Sequence, residues 1–265
     1  MQRVYYGGPS QYSFGPGAIT PVVKALIWAN VVTFLLTALI PSAVLRWFLT
    51  SFGLTPQLTL ELLKVWQPFT YLFLHGGIGH ILINMLFLWM FGVQLERLWG
   101  SRFFLRYYLV SGVGAGLVTI VVSLLPFAFS ASTYATVTIG ASGAIYGLLT
   151  AFALYYPNTP ILMFFLIPVP AKYFVMICGA VAFVSAPRGG GVGHVTHLGG
   201  LLVGYLYLKR VRGVSARRFG FGRLGIMADI KYRYLKWKIG RLRKRFDVYS
   251  GRGGRGGGQW NDRVH

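Results

Sequence analysis

Apolar residues in this chain gather into six stretches separated by short polar or glycine- and proline-rich turns. A membrane-spanning helix needs about 20 apolar residues, and the pattern predicts helices at about 22–40, 78–95, 103–125, 142–156, 171–186 and 193–208. Pro157 and Pro160 end the fourth, because proline lacks the N–H that a helix interior requires. Pro168 and Pro170 make 161–169 a poor helix, so the fifth begins at Ala171. Between the first two helices, residues 41–69 carry Arg46, Glu61 and Lys64 among scattered aromatics. That segment is too polar to span and too apolar for a free loop, which predicts an interfacial element lying on the membrane. Gly112, Gly114 and Gly116 in the third helix follow no strand and so do not form a nucleotide loop; they predict close helix packing. The fold class that follows is all-α, a polytopic bundle of six transmembrane helices.

Composition agrees. The 265 residues are 55% hydrophobic and only 12% charged, with a mean hydropathy of +0.57, whereas soluble proteins carry about a quarter charged residues. The net charge of +21 is concentrated at one end: residues 209–265 hold 17 of the 26 Lys and Arg and three of the five acids. This divides the chain into an N-terminal segment (1–19), a membrane domain (20–208) and a basic tail (209–265). Residues 1–17 have no basic stretch running into an apolar one and are not expected to be a cleavable signal peptide. Basic residues near the helix ends predict both termini on the cytoplasmic side. His75 and the starts of helices two, four and six then face outward. In the tail, residues 229–245 interleave aromatic and aliphatic side chains with Lys and Arg, a basic amphipathic pattern suited to an anionic leaflet. The Gly/Arg-rich end is expected to be disordered. Segments of that composition can also bind RNA, but membrane contact is the preferred reading and nucleic acid is not an expected partner. Cys178, the one cysteine, lies in an apolar stretch and excludes a disulfide framework.

Ionisable or polar groups inside apolar spans are functional candidates by default. His80 and Asn84 share a face of the second helix, with His75 just before them, and His194 and His197 share a face of the sixth. Ser142 lies within Gly140-Ala141-Ser142-Gly143, where the fourth helix begins. Free backbone N–H groups and the positive dipole end at such a position would stabilise the oxyanion of an acyl-transfer intermediate. Gly143 with Gly147, and Gly200 with Gly204, are GxxxG pairs that would bring helices four and six close enough for Ser142 to hydrogen-bond His197. Residues 1–208 contain no Asp and only Glu61 and Glu96, neither near these segments. A Ser-His-Asp triad is therefore not available to the membrane domain, and hydrolysis would run on a Ser/His dyad.

With these residues in place the chain resembles the rhomboid family of intramembrane serine proteases over about 20–208. The resemblance rests on Gly140-Ala141-Ser142-Gly143, on His75 with His80 and Asn84, and on His197 with Gly200 and Gly204. It implies a rhomboid-like bundle with Ser142 as nucleophile and His197 as general base. It further implies that His80, Asn84 and the Ser142 amide bind the oxyanion beside Gly140, that Tyr146 packs on His197, and that no cofactor is needed. Substrates would be single-span membrane proteins. The family commonly carries Trp-Arg in the interfacial segment where this chain has Trp66-Gln67, a departure that bears on how that segment is anchored. Glu96 and Gly100 match the family after helix two and read as structural. Two other readings are open at this stage. One is a metal or cation site built from His75, His80, His194 and His197, which lacks an acidic ligand and an HExxH motif. The other is a non-catalytic relative that binds membrane clients, a class that loses the Ser or the His.

Overall fold

The computed structural model describes residues 15–127, 130–163, 166–188 and 192–213, together with Leu235 and Lys238. The chain divides into two compact units, Met1–Phe219 and Gly220–His265. In the second unit only Leu235 and Lys238 are described, both helical, so the amphipathic segment expected at 229–245 otherwise lies outside the described residues.

The first unit is mostly helical in its described residues. In order it contains α1 (Pro21–Ala38), α2 (Ser42–Phe52), α3 (Pro56–Glu61), α4 (Gln67–Thr70), a 3₁₀ turn (Tyr71–Phe73), α5 (Ile78–Phe87), a π-helical turn (Leu88–Gly92), α6 (Val93–Trp99), α7 (Ser101–Ser123), α8 (Ser130–Ala135), α9 (Ser142–Tyr155), α10 (Ala171–Ser185) and α11 (Val192–Arg212). Among the described residues three helices are long and apolar enough to cross a bilayer: α1, the continuous Ile78–Trp99 and α7. The helices α9 and α10 are apolar but shorter. The last helix, α11, continues four residues past the expected end at Leu208, to Arg212. There the Arg212 guanidinium lies 4.2 Å from the Phe103 ring centroid. The segment expected to be a poor helix is not helical in its described residues, and it holds two antiparallel strands, β1 (Pro160–Met163) and β2 (Ile167–Pro170), in which Pro160 pairs with Pro170 and Met163 with Ile167. Proline is tolerated there because a two-stranded ribbon is all edge.

Two polar clusters fix the helices. The buried Glu96 carboxylate accepts bonds from the Thr20 and Ser101 hydroxyls and from the N–H groups of Val22 and Val23. It thus satisfies two of the free N–H groups at the start of α1. Beside it, Arg97 donates to the carbonyls of Pro16 and Ala18 at 2.6 and 2.7 Å. The segment expected to lie at the interface forms α2, α3 and α4, and Gln67, fully buried, staples it. Gln67 Oε1 accepts from the Thr55 N–H at 3.0 Å and the Thr59 hydroxyl at 2.8 Å, while Nε2 donates to the Thr50 carbonyl at 2.9 Å. A neutral amide therefore anchors the segment without a salt bridge.

Candidate active site

The polypeptide approaching α9 is hung on the segment between α1 and α5. Leu54 and Thr138 exchange backbone bonds at 2.9 and 2.8 Å, and the Gly140 N–H donates to the Tyr71 carbonyl at 2.9 Å. The Tyr71 hydroxyl in turn donates to the Gly112 carbonyl on α7 at 2.7 Å. Gly140 then takes φ +125°, a conformation that favours glycine. A Cβ there would also sit 2.6 Å from His80 Nε2. Both constraints apply at the turn that delivers Ser142 to the first position of α9.

Glycines bring α9 and α11 together. A Cβ on Gly200 would overlap the Gly143 carbonyl oxygen, and one on Gly204 would lie 2.9 Å from Gly147 Cα. Tyr107 on α7 locks the same seam by donating its hydroxyl proton to the Gly147 carbonyl at 2.6 Å. The Thr119 and Thr196 hydroxyls bond at 2.8 Å one residue from His197. As the GxxxG pairs predict, this approach brings His197 Nε2 to 2.8 Å from Ser142 Oγ. The imidazole lies flat on Tyr146, with ring centroids 4.2 Å apart and planes 3° from parallel. His197 Nδ1 is buried and has no hydrogen-bond partner. Among the described residues nothing takes the place of a triad carboxylate, and the stacked tyrosine limits the ring's orientation.

His80 and Asn84 approach the same point from α5. The Gly76 N–H makes a long 3.5 Å bond to His80 Nδ1. In a neutral imidazole that leaves the proton on Nε2, the nitrogen that faces Gly140. Asn84 Nδ2, buried and without a partner, would lie 3.7 Å from a Cβ at Gly140. Two unspent N–H donors thus flank the turn that carries Ser142. His75 is buried, with its ring 5.0 Å from that of His80 and both nitrogens unpaired. Burial and the neighbouring His80 lower its pKa to about 4, which keeps it neutral. His194, one turn before His197 on α11, packs edge-on to it at 5.9 Å. No group of three or more His, Cys, Asp or Glu is placed to hold a metal ion among the described residues.

On the other side of α9 a largely apolar cavity of about 730 Å³ opens between α5–α6 and α10. Tyr146, Phe87, Phe152 and Phe174 line it, and β1 contributes at one end. Tyr146 therefore belongs both to the cavity wall and to the stack on His197. No sequence signal marks the cavity, because an unfilled space leaves no pattern of its own. Nor does the sequence show Tyr71 and Gln67 as supports of the Ser142 turn, since their partners are mainly backbone groups distant along the chain.

These features define a membrane-embedded helical protein with a serine and a histidine in hydrogen-bond contact between two closely packed helices. Residues 63–213, more than half of the chain, match the family described as Rhomboid domain. The chain is 33% identical over 138 residues to Rhomboid protein 1, mitochondrial, of Saccharomyces cerevisiae, covering 51% of this chain and 38% of that protein. It is 31% identical over 172 residues to Rhomboid protease GluP of Bacillus subtilis, covering 65% of this chain and 31% of that protein. It is also 32% identical over 158 residues to Rhomboid-like protease 5 of Toxoplasma gondii, covering 56% and 16%. The chain thus spans well under half the length of these relatives. It belongs to the rhomboid family.

Proposed function

We propose that this protein is an intramembrane serine endopeptidase that cleaves single-span membrane proteins near the outer boundary of the bilayer. The observation that carries the reading is the 2.8 Å contact between Ser142 Oγ and His197 Nε2. Ser142 attacks the scissile carbonyl while His197 takes its proton and returns it to the leaving amine, and water deprotonated by the same imidazole then hydrolyses the acyl-enzyme, the proton going back to Ser142 Oγ. His80 Nε2–H, the Asn84 amide and the Ser142 N–H at the start of α9 donate to the oxyanion, where preorganised donors act most strongly. The client helix reaches the dyad through the apolar cavity beside Tyr146. Six helices cross the membrane with both termini cytoplasmic, and the basic tail holds to anionic lipid. Support for proteolysis also comes from relatives whose names include the word protease.

The test is a cleavage assay on a single-span substrate with the full chain in neutral detergent. Ser142→Ala and His197→Ala should each reduce cleavage to background while leaving the protein folded, since losing either member of a working pair costs about as much as losing both. EDTA should leave the rate unchanged. Cleavage at the unaltered rate by Ser142→Ala would overturn the proposal, and inhibition by EDTA would move it to a metal mechanism.

A further inference from the structure

The cavity beside Tyr146 is apolar along most of its length and polar at one end. Ile83, Phe87, Met90 and Gln94 all line it, and their spacing of four, three and four residues marks a single face of the continuous helix Ile78–Trp99. The first three are apolar, and the fourth ends the stripe with an amide. Gln94 is half-buried and makes no side-chain hydrogen bond with the described residues. Thr159, before β1, lines the cavity as well.

That end is walled by chain from outside the spanning helices. Strand β1 contributes Pro160–Met163, and the N-terminal segment contributes Gly15 and Pro16. Arg97 fixes this segment through the Pro16 and Ala18 carbonyls, and Gly15 presses so closely on the Trp89 indole that a Cβ could not be accommodated. An amide left unpaired in apolar surroundings is unfavourable. Gln94 therefore sits at a built end of the cavity with both donor and acceptor unspent among the described residues.

We propose that Gln94 is a specificity residue that hydrogen-bonds a polar side chain of the client's transmembrane helix at the end of the cavity remote from the dyad. This rests on the protease reading above. The occupant is the client helix, because the cavity borders the dyad at Tyr146, whose ring stacks on His197, and its apolar stripe matches a hydrophobic helix. His80, which marks the cutting level, precedes Gln94 by 14 residues, about 21 Å along a helix at 1.5 Å per residue. Clients carrying an amide or hydroxyl at about that depth are recognised, and clients with leucine there are cut less readily. An interhelical hydrogen bond in a bilayer is worth roughly three- to twentyfold in affinity.

The experiment moves a single Asn along the otherwise all-leucine helix of a single-span client and measures cleavage by the full chain in liposomes. The unaltered protein should show a maximum of roughly three- to twentyfold over the all-leucine client when the Asn lies about 14 residues from the cut. Gln94→Leu should bring that ratio to about one, and Gln94→Asn should keep most of it. Absence of a maximum in the unaltered protein, or its persistence in Gln94→Leu, overturns the proposal. Capture is read separately in Ser142→Ala, by crosslinking Cys178, the chain's one cysteine and a cavity residue, to a client thiol. The Asn client should crosslink more than the all-leucine client, and Gln94→Leu should erase the difference. Selective capture without Ser142-dependent cleavage in the unaltered protein would refute the protease reading alone. No crosslink to any client would mean that lipid fills the cavity and would overturn the specificity role.

Discussion

Along the α11 side of α9, backbone lies against backbone: Gly200 meets the Gly143 carbonyl and Gly204 meets Gly147, with no room for a methyl group at either. Along the α10 side the same helix borders a cavity of about 730 Å³. The tight side holds Ser142 Oγ and His197 Nε2 at hydrogen-bond distance, and rigid close packing resists the ångström-scale displacement that would cost most in rate if the two react as proposed. The open side is lined mainly by apolar side chains, and on the proposed reading it is where a client helix docks. Tyr146 stands on both, with one role in the stack on His197 and another in the cavity wall.

If that contrast is right, the largest effect comes from filling the tight side. Gly200→Val should destabilise the protein by about 3 kcal/mol or more and abolish cleavage, measured by thermal unfolding in detergent beside the substrate assay. A folded, active variant would show that the helix approach is dispensable. His80→Ala and Asn84→Ala should each lower turnover by roughly ten- to a thousandfold with little change in apparent affinity, if they bind the oxyanion. An effect confined to affinity would make them substrate-positioning groups. Tyr146→Ala should lower turnover by about three- to tenfold through loss of a stack worth about 0.5–1.5 kcal/mol, while Tyr146→Phe keeps the ring and most of the rate. Equal losses in the two variants would give the role to the hydroxyl. Smallest of all is Val181→Ala on the open side, where the side chain is 56% exposed. Unfolding should shift by no more than about 0.5 kcal/mol, and a larger change would mean that the cavity wall is packed as tightly as the seam.

The sequence made the tight side far easier to read than the open one. Gly143, Gly147, Gly200 and Gly204 recur at helical spacing, and small residues at that spacing have one main physical use in a membrane helix. The Ser142–His197 contact followed from that pattern. The positions of the helices were legible too, since apolar length is a local property. The hairpin was not, because Pro160, Pro168 and Pro170 read only as helix breakers, and strand pairing depends on a partner several residues away. Gln67 was visible as a departure from Trp-Arg, yet its role depends on the Thr50 carbonyl, the Thr55 N–H and the Thr59 hydroxyl, which are assembled only by folding. Glu96 read as structural, and its four donors show how: it closes the start of α1 against α6 and α7.

Whether Ser142 is an activated nucleophile can be measured without any substrate. A fluorophosphonate probe reacts with a serine hydroxyl in proportion to its activation, and mass spectrometry locates the adduct. The account predicts labelling at Ser142 in the otherwise unaltered chain, falling by at least about a hundredfold in His197→Ala, since a positioned general base contributes about 10²- to 10⁴-fold. An unlabelled Ser142, or equal labelling in the presence and absence of the His197 imidazole, would contradict it.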